Sequence, residues 1–508
     1  MKKYLILLAW IVPYTLFGQN AWDAYRYSHI SYQGSARSLA LGNAVTALGG
    51  DFTSISMNPA AAGLYHYSEF SFTPAFTTRF SQVDYFNQPA NDKYTRLGVS
   101  EFGYVGSWNL SGKRQGPITL SFAAGYNKVQ DFTHQTSVLL NGSTTSWLSS
   151  AATLTDGISF EKLEHKDGYN PYYDSGAPWR SVLAWNTYLL DLIPDTHNQY
   201  IGGTENIDHD NQEIYVGGLL DQRFLRESKG SMGDYVFALG SNFNDRIFVG
   251  ASFAFRNIHY RTFEKYVETA QNPQEFQTGF RDFSHTYQQT TTGSGFHMKV
   301  GIIALPLNNL RIGAAFTTPT WTTLTDEWQE RMTARFVDGY EHEDSPYGRY
   351  SYKVQTPWRY SVGATYLLGN TGLISVDYEG VDYRNMNMSA LYDKMEFAKE
   401  NDDIRLGSPD YRFGISHIIR AGAEFRIGTF SLRGGYSYYS AGEELLNDSH
   451  RVSGGLGIRG KRSFADVGVS YRLKENEYFS LYDIADTPAP GMNTLTRLRV
   501  AFTVGFRF

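Results

Sequence analysis

The sequence predicts an all-β transmembrane barrel of about fourteen antiparallel strands with an N-terminal plug, of the type found in Gram-negative outer membranes. Three observations lead to this fold class. The chain begins with a processing signal, its apolar and polar residues alternate with a period of two, and its connections are alternately short and long. A mean hydropathy of -0.38 is compatible with such a barrel, because strands with one polar face average to modest hydropathy.

The first eighteen residues have the features of a signal peptide. Lys2 and Lys3 form a positive start, residues 4–17 form an apolar run, and Gly18 is a small residue at which cleavage could occur. Leu16 is larger than the usual residue two positions before a cleavage site. A membrane anchor is the alternative, but the apolar run is short for one. We therefore expect residues 1–18 to be removed on export.

Composition excludes several kinds of site and partner. The formal charge is -6, and becomes -8 when the two signal-peptide lysines are removed, which argues against nucleic acid as a partner. The chain has no cysteine, so lipid anchoring, thiolate metal sites and cysteine nucleophiles are excluded. The histidines have no spacing typical of metal or haem ligands, so no cofactor is predicted, although the sequence leaves haem binding open.

The last thirteen residues give the clearest alternation. In a membrane barrel, one face of such a strand contacts lipid and the other lines the lumen. We assign the apolar face to lipid and the basic and small residues to the lumen. The lipid-facing set is Leu498, Val500, Phe502, Val504, Phe506 and Phe508, and the lumenal set is Arg497, Arg499, Ala501, Thr503, Gly505 and Arg507.

The same alternation predicts fourteen strands. They lie near 69–80, 101–110, 118–130, 232–242, 246–260, 283–304, 309–325, 350–368, 372–385, 413–427, 429–440, 451–460, 463–474 and 496–508. The connections between them alternate in length, as in barrels with short periplasmic turns and long outer loops. The long connections are 81–100, 131–231, 261–282, 326–349, 386–412, 441–450 and 475–495.

Two segments do not fit the wall of the barrel. The insertion at 131–231 is too long for a bare loop, and 137–154 and 180–192 could form short amphipathic helices. Residues 19–68 are rich in small and turn-forming residues and cannot form a domain alone. Because a fourteen-stranded barrel has a wide lumen, we expect 19–68 to be a plug inside it and 69–508 to be the barrel.

The plug segment also resembles a known family. Residues 34–42, 47–51 and the tripeptide Asn58, Pro59 and Ala60 resemble the N-terminal hatch of the FadL family of outer-membrane transporters. Residues 356–366 and 376–378 are similar to a proline-led strand of that family and the strand that follows. The resemblance implies a fourteen-stranded barrel with a plug, and transport of long-chain fatty acids or hydrocarbons.

The resemblance gives the candidate site residues. Asn58, Pro59, Ala60 and Gly63 are hatch or gate candidates, although a plain structural turn capped by Asn58 is an equally good reading of the tripeptide. Phe508 is the expected signal for the barrel-assembly machinery. The family's ligand-contacting residues have no motif that can be matched here.

The predicted function is passive uptake of hydrophobic small molecules, with outer-membrane lipid around the barrel. The first alternative is an interaction or shuttle component of a type IX secretion system, in which the insertion would hold protein cargo and secretion subunits would be partners. The second is a barrel hydrolase, which would need a serine beside His259 or His285. We rank the hydrolase last and predict a protein that is not an enzyme.

Overall fold

The computed structural model describes residues 19–110, 116–208, 210, 213–391, 397–409, 411–444, 446–479, 481–482 and 491–508. The predicted signal peptide lies outside these residues. The described helices are α1 (Ala21–Ser28), α2 (Ala36–Ala40), α3 (Phe52–Met57), α4 (Trp147–Thr155), α5 (Pro171–Asp174), α6 (Trp179–Asn186) and α7 (Ala398–Leu406). No described helix is long and apolar enough to cross a bilayer.

The strands form one closed antiparallel barrel. They are β1 (Glu69–Tyr85), β2 (Gln88–Asn109), β3 (Pro117–Asp131), β4 (His134–Ser143), β5 (Leu190–Leu192), β6 (Tyr200–Gly202), β7 (Glu205–Asp208), β8 (Glu213–Val216), β9 (Leu220–Phe243), β10 (Ile247–Ala270), β11 (Phe280–Leu307), β12 (Leu310–Thr317), β13 (Trp321–Phe336), β14 (Tyr340–Asp344), β15 (Gly348–Gln355), β16 (Arg359–Leu367), β17 (Gly372–Asp382), β18 (Asn387–Ala390), β19 (Ile415–Ile427), β20 (Phe430–Tyr439), β21 (Ser449–Arg459), β22 (Ser463–Phe479) and β23 (Gly491–Arg507).

The order around the barrel confirms the predicted count of fourteen. It runs β1, β2, β3, β9, β10, β11, β12 with β13, β15 with β16, β17 with β18, and then β19 to β23, which pairs back with β1. Three neighbouring wall positions are each made of two segments. The interruptions are at 318–320, 356–358 and 383–386, and the sequence pattern did not predict them because alternation continues on both sides.

The barrel exposes apolar side chains on its outside, as expected for a wall in contact with lipid. On β23, Phe502, Val504 and Phe506 are 40%, 47% and 56% exposed, whereas Arg499 and Thr503 are buried toward the lumen. This confirms the predicted assignment of faces. Aromatic pairs on the outer face form the girdle typical of a membrane interface. They include Tyr126 with Tyr235, Phe296 with Trp321, and Phe316 with Trp358.

The prediction that the outer connections are bare loops was wrong for several of them. Residues 81–100 continue β1 and β2 as a hairpin that turns at Phe86 and Asn87, and β9, β10 and β11 are 24, 24 and 28 residues long. Above the membrane the outer face of β10 becomes polar, with Arg261 and Lys265 exposed. The alternation of apolar and polar residues therefore ends at the membrane surface, although the strands continue beyond it.

The insertion forms an outer cap, defined here as residues 144–219. The predicted helix at 137–154 was partly wrong, because β4 occupies its first half and the helix α4 starts at Trp147. The predicted helix at 180–192 corresponds to α6, which ends at Asn186. The cap packs against lumenal side chains of the tall wall, with the ring of Trp147 5.5 Å from Phe283. The cap therefore fills the upper lumen on the side of β9, β10, β11 and β13.

The N-terminal segment lies inside the barrel. From 19 to 65 almost every residue is buried, and its short helices begin at the side-chain caps Asn20, Ser35 and Asp51. β1 follows at Glu69, and the chain ends beside this point. Ser68 and Phe508 exchange backbone hydrogen bonds of 3.1 and 3.0 Å, which close the barrel between its first and last strands.

Candidate functional site: the lumenal plug and a lateral seam

A belt of glycines on the lumenal face of the wall receives the N-terminal segment. A Cβ atom at any of these positions would lie closer than 3.0 Å to an atom of that segment, so only glycine lets the two backbones approach. The sequence analysis missed this belt, although its signal was present as glycines inside alternating strands. The belt residues are Gly103, Gly125, Gly240, Gly250, Gly301, Gly313, Gly422, Gly435, Gly455 and Gly468.

The four predicted gate residues lie together in one turn that sits on this belt. The Asn58 amide Nδ2 donates to the carbonyl oxygens of Thr46, at 2.8 Å, and Ile302, at 3.3 Å. Its Oδ1 accepts from the Ala60 N–H at 3.1 Å and caps the turn that Pro59 begins. Pro59 and Gly63 lie against the backbone of β9 and β10. Asn58 thus joins two parts of the segment to each other and to the wall.

A buried carboxylate fixes the opposite side of the segment. Glu424 of β19 accepts from Arg37 of α2 at 3.0 Å, and from Arg433 and Arg426 on the wall at 2.7 and 2.6 Å. The Thr46 N–H donates to Asp377 of β17 at 2.8 Å. The pairing of Arg37 with Glu424 could not be predicted from the sequence, because the two residues are 387 positions apart.

The backbone ladder stops between β2 and β3 at a place here called the lateral seam. β2 and β3 pair only as far as Glu101 opposite Asn127, and residues 88–100 of β2 then run beside β3 and β4 without a described ladder. Side chains join the edges instead. The contacts are Asp92 with the Ser137 N–H at 2.7 Å, Gln88 with the Asn141 N–H at 2.9 Å, and Arg96 with Thr133 at 2.9 Å.

The N-terminal segment covers the seam from the lumenal side. The N–H of Ser31 donates to the Val129 oxygen at 2.7 Å, and that of Gln33 donates to the Lys128 oxygen at 2.9 Å. Residues 31–33, here called the gate segment, therefore use backbone acceptors of β3 beyond the point where β2 leaves it. The seam is covered there by a short segment of the plug that makes two backbone hydrogen bonds to β3.

An apolar cluster lies next to the gate segment. It surrounds α1 and contains aromatic rings from the wall, among them Phe132 and Tyr260, whose centroids are 5.3 Å apart. Ile30, directly before the gate segment, is part of it. Members near the gate segment, on or next to β3, β9, β10 and the start of the N-terminal segment, are Ala21, Ala24, Tyr27, Ile30, Tyr32, Val129, Phe132, Met232, Ile258 and Tyr260. This is an apolar environment suited to an apolar solute.

Below this cluster, polar groups on β9, β10 and β11 face the plug. Arg256 makes two hydrogen bonds to Asp234, at 2.8 and 2.9 Å, and both side chains are buried. The ammonium of Lys299 donates to the Tyr32 hydroxyl at 3.2 Å and to the oxygen of Ser56. These bonds hold Tyr32, the middle residue of the gate segment, on a charged part of the wall.

The two histidines considered for a hydrolase are not brought together. His259 is exposed on the outer face of β10, whereas His285 of β11 is buried in the lumen and bonds Glu330 at 2.8 Å. Among the described residues, no group of three or more acidic or histidine side chains could hold a metal ion.

Comparison with known proteins finds the same fold in solved structures. No protein-family model matches the chain, and a search of curated proteins found no match. The structure is similar to the Pseudomonas putida toluene transporter TodX, with a TM-score of 0.51 at 12% identity over 95% of this chain and 100% of that one. It is also similar to a Pseudomonas aeruginosa FadL homologue, with a TM-score of 0.54 at 9% identity over 94% and 99%.

These likenesses define a class of fold. The chain is a β-barrel with the fold of this toluene transporter and this FadL homologue, as the resemblance of its plug implied. At such low sequence identity, the similarity shows the fold but does not indicate which solute is bound or transported.

Proposed function

We propose that this protein is a passive channel that carries hydrophobic small molecules across the outer membrane. The observation that supports the proposal most is the lateral seam, where an apolar cluster in the lumen lies next to a wall held by side chains and covered by the gate segment. No covalent chemistry is needed, and we propose that the protein is not an enzyme. The similarity in fold to a toluene transporter is in keeping with this role.

The proposed path begins on the low side of the barrel. β20 ends at Tyr439 and β21 begins at Ser449, so this wall is much shorter than that of β9, β10 and β11, which the outer cap occupies. A solute that passes the low wall reaches the apolar cluster around α1. Each Å² of apolar surface removed from water there contributes roughly 25 cal/mol. Displacement of the gate segment would then let the solute leave through the seam into lipid.

We further propose that residues 19–68 act as the hatch and that Asn58, Pro59, Ala60 and Gly63 set its position. The Asn58 side chain holds Thr46, Ala60 and Ile302 at once, so its loss would loosen the plug at three points. Each bond contributes about 1 kcal/mol, too little to unfold the barrel and enough to change the population of an open plug.

The test is uptake of labelled oleate and of toluene by an uptake-deficient host. The strains carry wild type, Asn58→Ala, or empty vector, at matched surface levels, and labelled sugar and amino acid serve as polar comparisons. The exposed Asn385→Ala is the matched control variant. We expect wild type to exceed empty vector for the apolar solutes only. We expect Asn58→Ala to lower that uptake, because the change misplaces the plug while the wall stays folded. Equal uptake by wild type and empty vector for both apolar solutes would contradict the proposal.

A second candidate, a partner in type IX secretion, is favoured by the outer cap. The cap exposes Tyr173, Tyr188 and Tyr215 by 61%, 69% and 50%, and tyrosine is a residue type enriched at protein–protein interfaces. Affinity purification from native membranes tests this role. Secretion subunits that co-purify with wild type and are lost when these tyrosines are changed to serine would favour it.

A further inference from the structure

The outer face of β10 continues above the band of the wall that contacts lipid. Such a band is about 25 Å tall, and a strand tilted by about 40° rises about 2.5 Å per residue along the membrane normal, so about ten residues cross it. β10 begins at Ile247, directly after a short turn, so its lipid-facing band ends near residue 257. Phe255, opposite Tyr235 and Phe296, lies close to this upper edge.

Four exposed cations lie above this edge on the outer faces of β9 and β10. Lys229 is directly opposite Arg261, and Arg223 and Lys265 lie higher on the same face. We call these four residues the basic face. Residues 223–233 of β9 and 257–267 of β10 are all described, and their outer faces carry one carboxylate, Glu227, which accepts from Lys229 at 2.8 Å. The basic face therefore has an excess of three positive charges.

The neighbouring strands of the tall wall carry arginines as well, but there the charge is balanced. The ladder across β11 places Arg349 of β15 at the height of Arg261. Arg349 lies 3.6 Å from Glu327 of β13, and Arg331 of β13 is paired with Asp344 of β14. These arginines are neutralised by the protein itself.

The basic face has no such neutralisation. In the described parts of the chain, Arg261 and Lys265 form no ion pair with a carboxylate. Like charges directly opposite each other, as in Arg261 and Lys229, destabilise a sheet. Because the strands gain nothing from this arrangement, it indicates a partner of opposite charge that lies beside the wall.

The height of the basic face selects the class of anionic lipid. The head-group region of a phospholipid bilayer adds only about 5–7 Å to each side of the hydrocarbon core. Arg261 lies about 10 Å above the lipid-facing band and Lys265 about 20 Å, by the same rise per residue. The phosphate of a phospholipid is too low to contact both side chains. Phosphates carried by a saccharide head group extend over these heights.

The strand beside the basic face presents groups that suit a saccharide. The outer face of β11 carries Thr286, Gln288 and Thr290 at the heights of the basic face, with Thr290 directly opposite Arg261. Hydroxyl and amide groups can both donate to and accept from sugar hydroxyls. Across the barrel, β20 ends at Tyr439 and does not reach this height. The combination of cations and neutral polar groups thus belongs to the tall wall.

We propose that the basic face binds the phosphorylated saccharide head group of a glycolipid in the outer leaflet, whose acyl chains lie against the apolar band below. Arg261 and Lys229 contact the lower phosphates through charge-assisted hydrogen bonds, and Lys265 and Arg223 contact the upper ones. The site would fix the tall wall, and with it the outer cap, relative to the lipid surface. The proposal rests on the outer-membrane location of the barrel and not on the solute that the lumen carries.

Native mass spectrometry of the purified full-length protein in neutral detergent tests the site. The probes are a short-chain lipopolysaccharide with a phosphorylated head group, the same glycolipid after enzymatic removal of its phosphates, and dioleoyl phosphatidylglycerol. We expect the intact glycolipid to bind wild type at least about tenfold more tightly than either of the others. Arg261→Gln/Lys265→Gln should lose this preference.

The matched control is Arg331→Gln/Arg349→Gln, which removes two exposed charges at the same two heights and should keep the preference. Three results would overturn the proposal: equal binding of the intact and dephosphorylated glycolipids, binding of phosphatidylglycerol as tight as that of the intact glycolipid, or an equal loss in the control variant. Uptake of oleate and toluene by wild type is a separate measurement, so failure of this site and failure of the channel are distinguishable.

Discussion

Two parts of the barrel wall are built on different principles. From Ile247 opposite Phe243 to Ala270 opposite Leu220, β10 pairs with β9 without a register shift, and it pairs as continuously with β11. At the lateral seam, the ladder between β2 and β3 stops at Glu101 and Asn127, and a few side chains and the gate segment take its place. The first part supports the outer cap, whereas the second covers the apolar cluster.

The difference shows where this barrel can open. Separating β9 from β10 would expose a long row of backbone donors and acceptors to lipid, and each such group costs several kcal/mol there. Opening the seam requires only that side chains exchange partners and that two backbone bonds of the gate segment break. The continuously paired wall of β9, β10 and β11, here called the permanent wall, therefore stays closed, whereas the lateral seam can open.

A covalent bond across the seam should have the largest effect. Because the chain has no cysteine, the pair Asp92→Cys and Ser137→Cys can be oxidised without competing thiols. We expect oxidation to lower apolar uptake at least about tenfold, because the edges can no longer part, and reduction to restore it. The measurement is labelled-oleate and toluene uptake before and after reduction.

The control for this cross-link is a pair on the permanent wall. Arg261 and Thr290 are directly opposite on β10 and β11, so cysteines there should form a bond without changing uptake. If the seam cross-link forms and uptake is unchanged, the solute does not leave through the seam.

A methyl group on the glycine belt should have the next largest effect. Alanine at Gly435 would place its Cβ against the backbone of Leu41 and Gly42, which cannot move without displacing the plug. Alanine at the neighbouring Gly434 meets nothing within 4 Å. We expect Gly435→Ala to raise the permeability of cells to a polar dye several-fold and Gly434→Ala to leave it unchanged. Equal permeability of the two variants would contradict the role of the belt.

Neutralising Glu424 should loosen the plug more mildly. Glu424→Gln keeps the shape of the side chain but removes the charge that Arg37, Arg433 and Arg426 share. Breaking a buried ion pair costs about 3–5 kcal/mol when a charge is left without its partner. We expect a lower unfolding temperature and about a twofold rise in dye permeability. A variant that matches wild type in both would show that Glu424 does not hold the plug.

The smallest expected effect is a pH dependence of the outer cap. Glu268 lies beyond the exposed Arg261 and Lys265 of β10, outside the membrane. Its carboxylate accepts from Ser146, the Trp147 N–H and Tyr266, each at 2.6 Å, and from Gln222 at 3.0 Å. Burial raises the pKa of Glu268 from 4.5 to about 7. The protonated form is therefore favoured in the folded cap, and its contribution is complete below pH 4.5 and lost as the pH rises through about 7.

Hydrogen exchange of α4 at pH 5 and pH 8 measures this effect. We expect about threefold faster exchange at pH 8 after correction for the intrinsic rate, and little pH dependence in Glu268→Gln. A wild-type profile as flat as that of the variant would show that Glu268 does not control the docking of the cap. The permanent wall below the cap should show no such change.

The sequence by itself determined the class of fold. The period-two alternation and the alternately short and long connections were sufficient to predict fourteen strands and the faces of β23. Lipid on one side of a strand and a lumen on the other impose that pattern residue by residue. It also singled out Asn58, Pro59, Ala60 and Gly63, which the structure brings into one turn. That they act as a gate, and that Phe508 directs assembly, remain predictions.

Only the tertiary structure decided how the wall and the plug meet. Arg37 and Glu424 are 387 positions apart, and the glycine belt brings wall residues against a segment that is distant in the sequence, so no local pattern relates these partners. The sequence also did not predict how far the strands extend above the membrane or where β2 leaves β3. Outside lipid both faces of a strand are polar, so the alternation is lost there. Local chemistry fixes which face a residue takes, and long-range packing fixes what it touches.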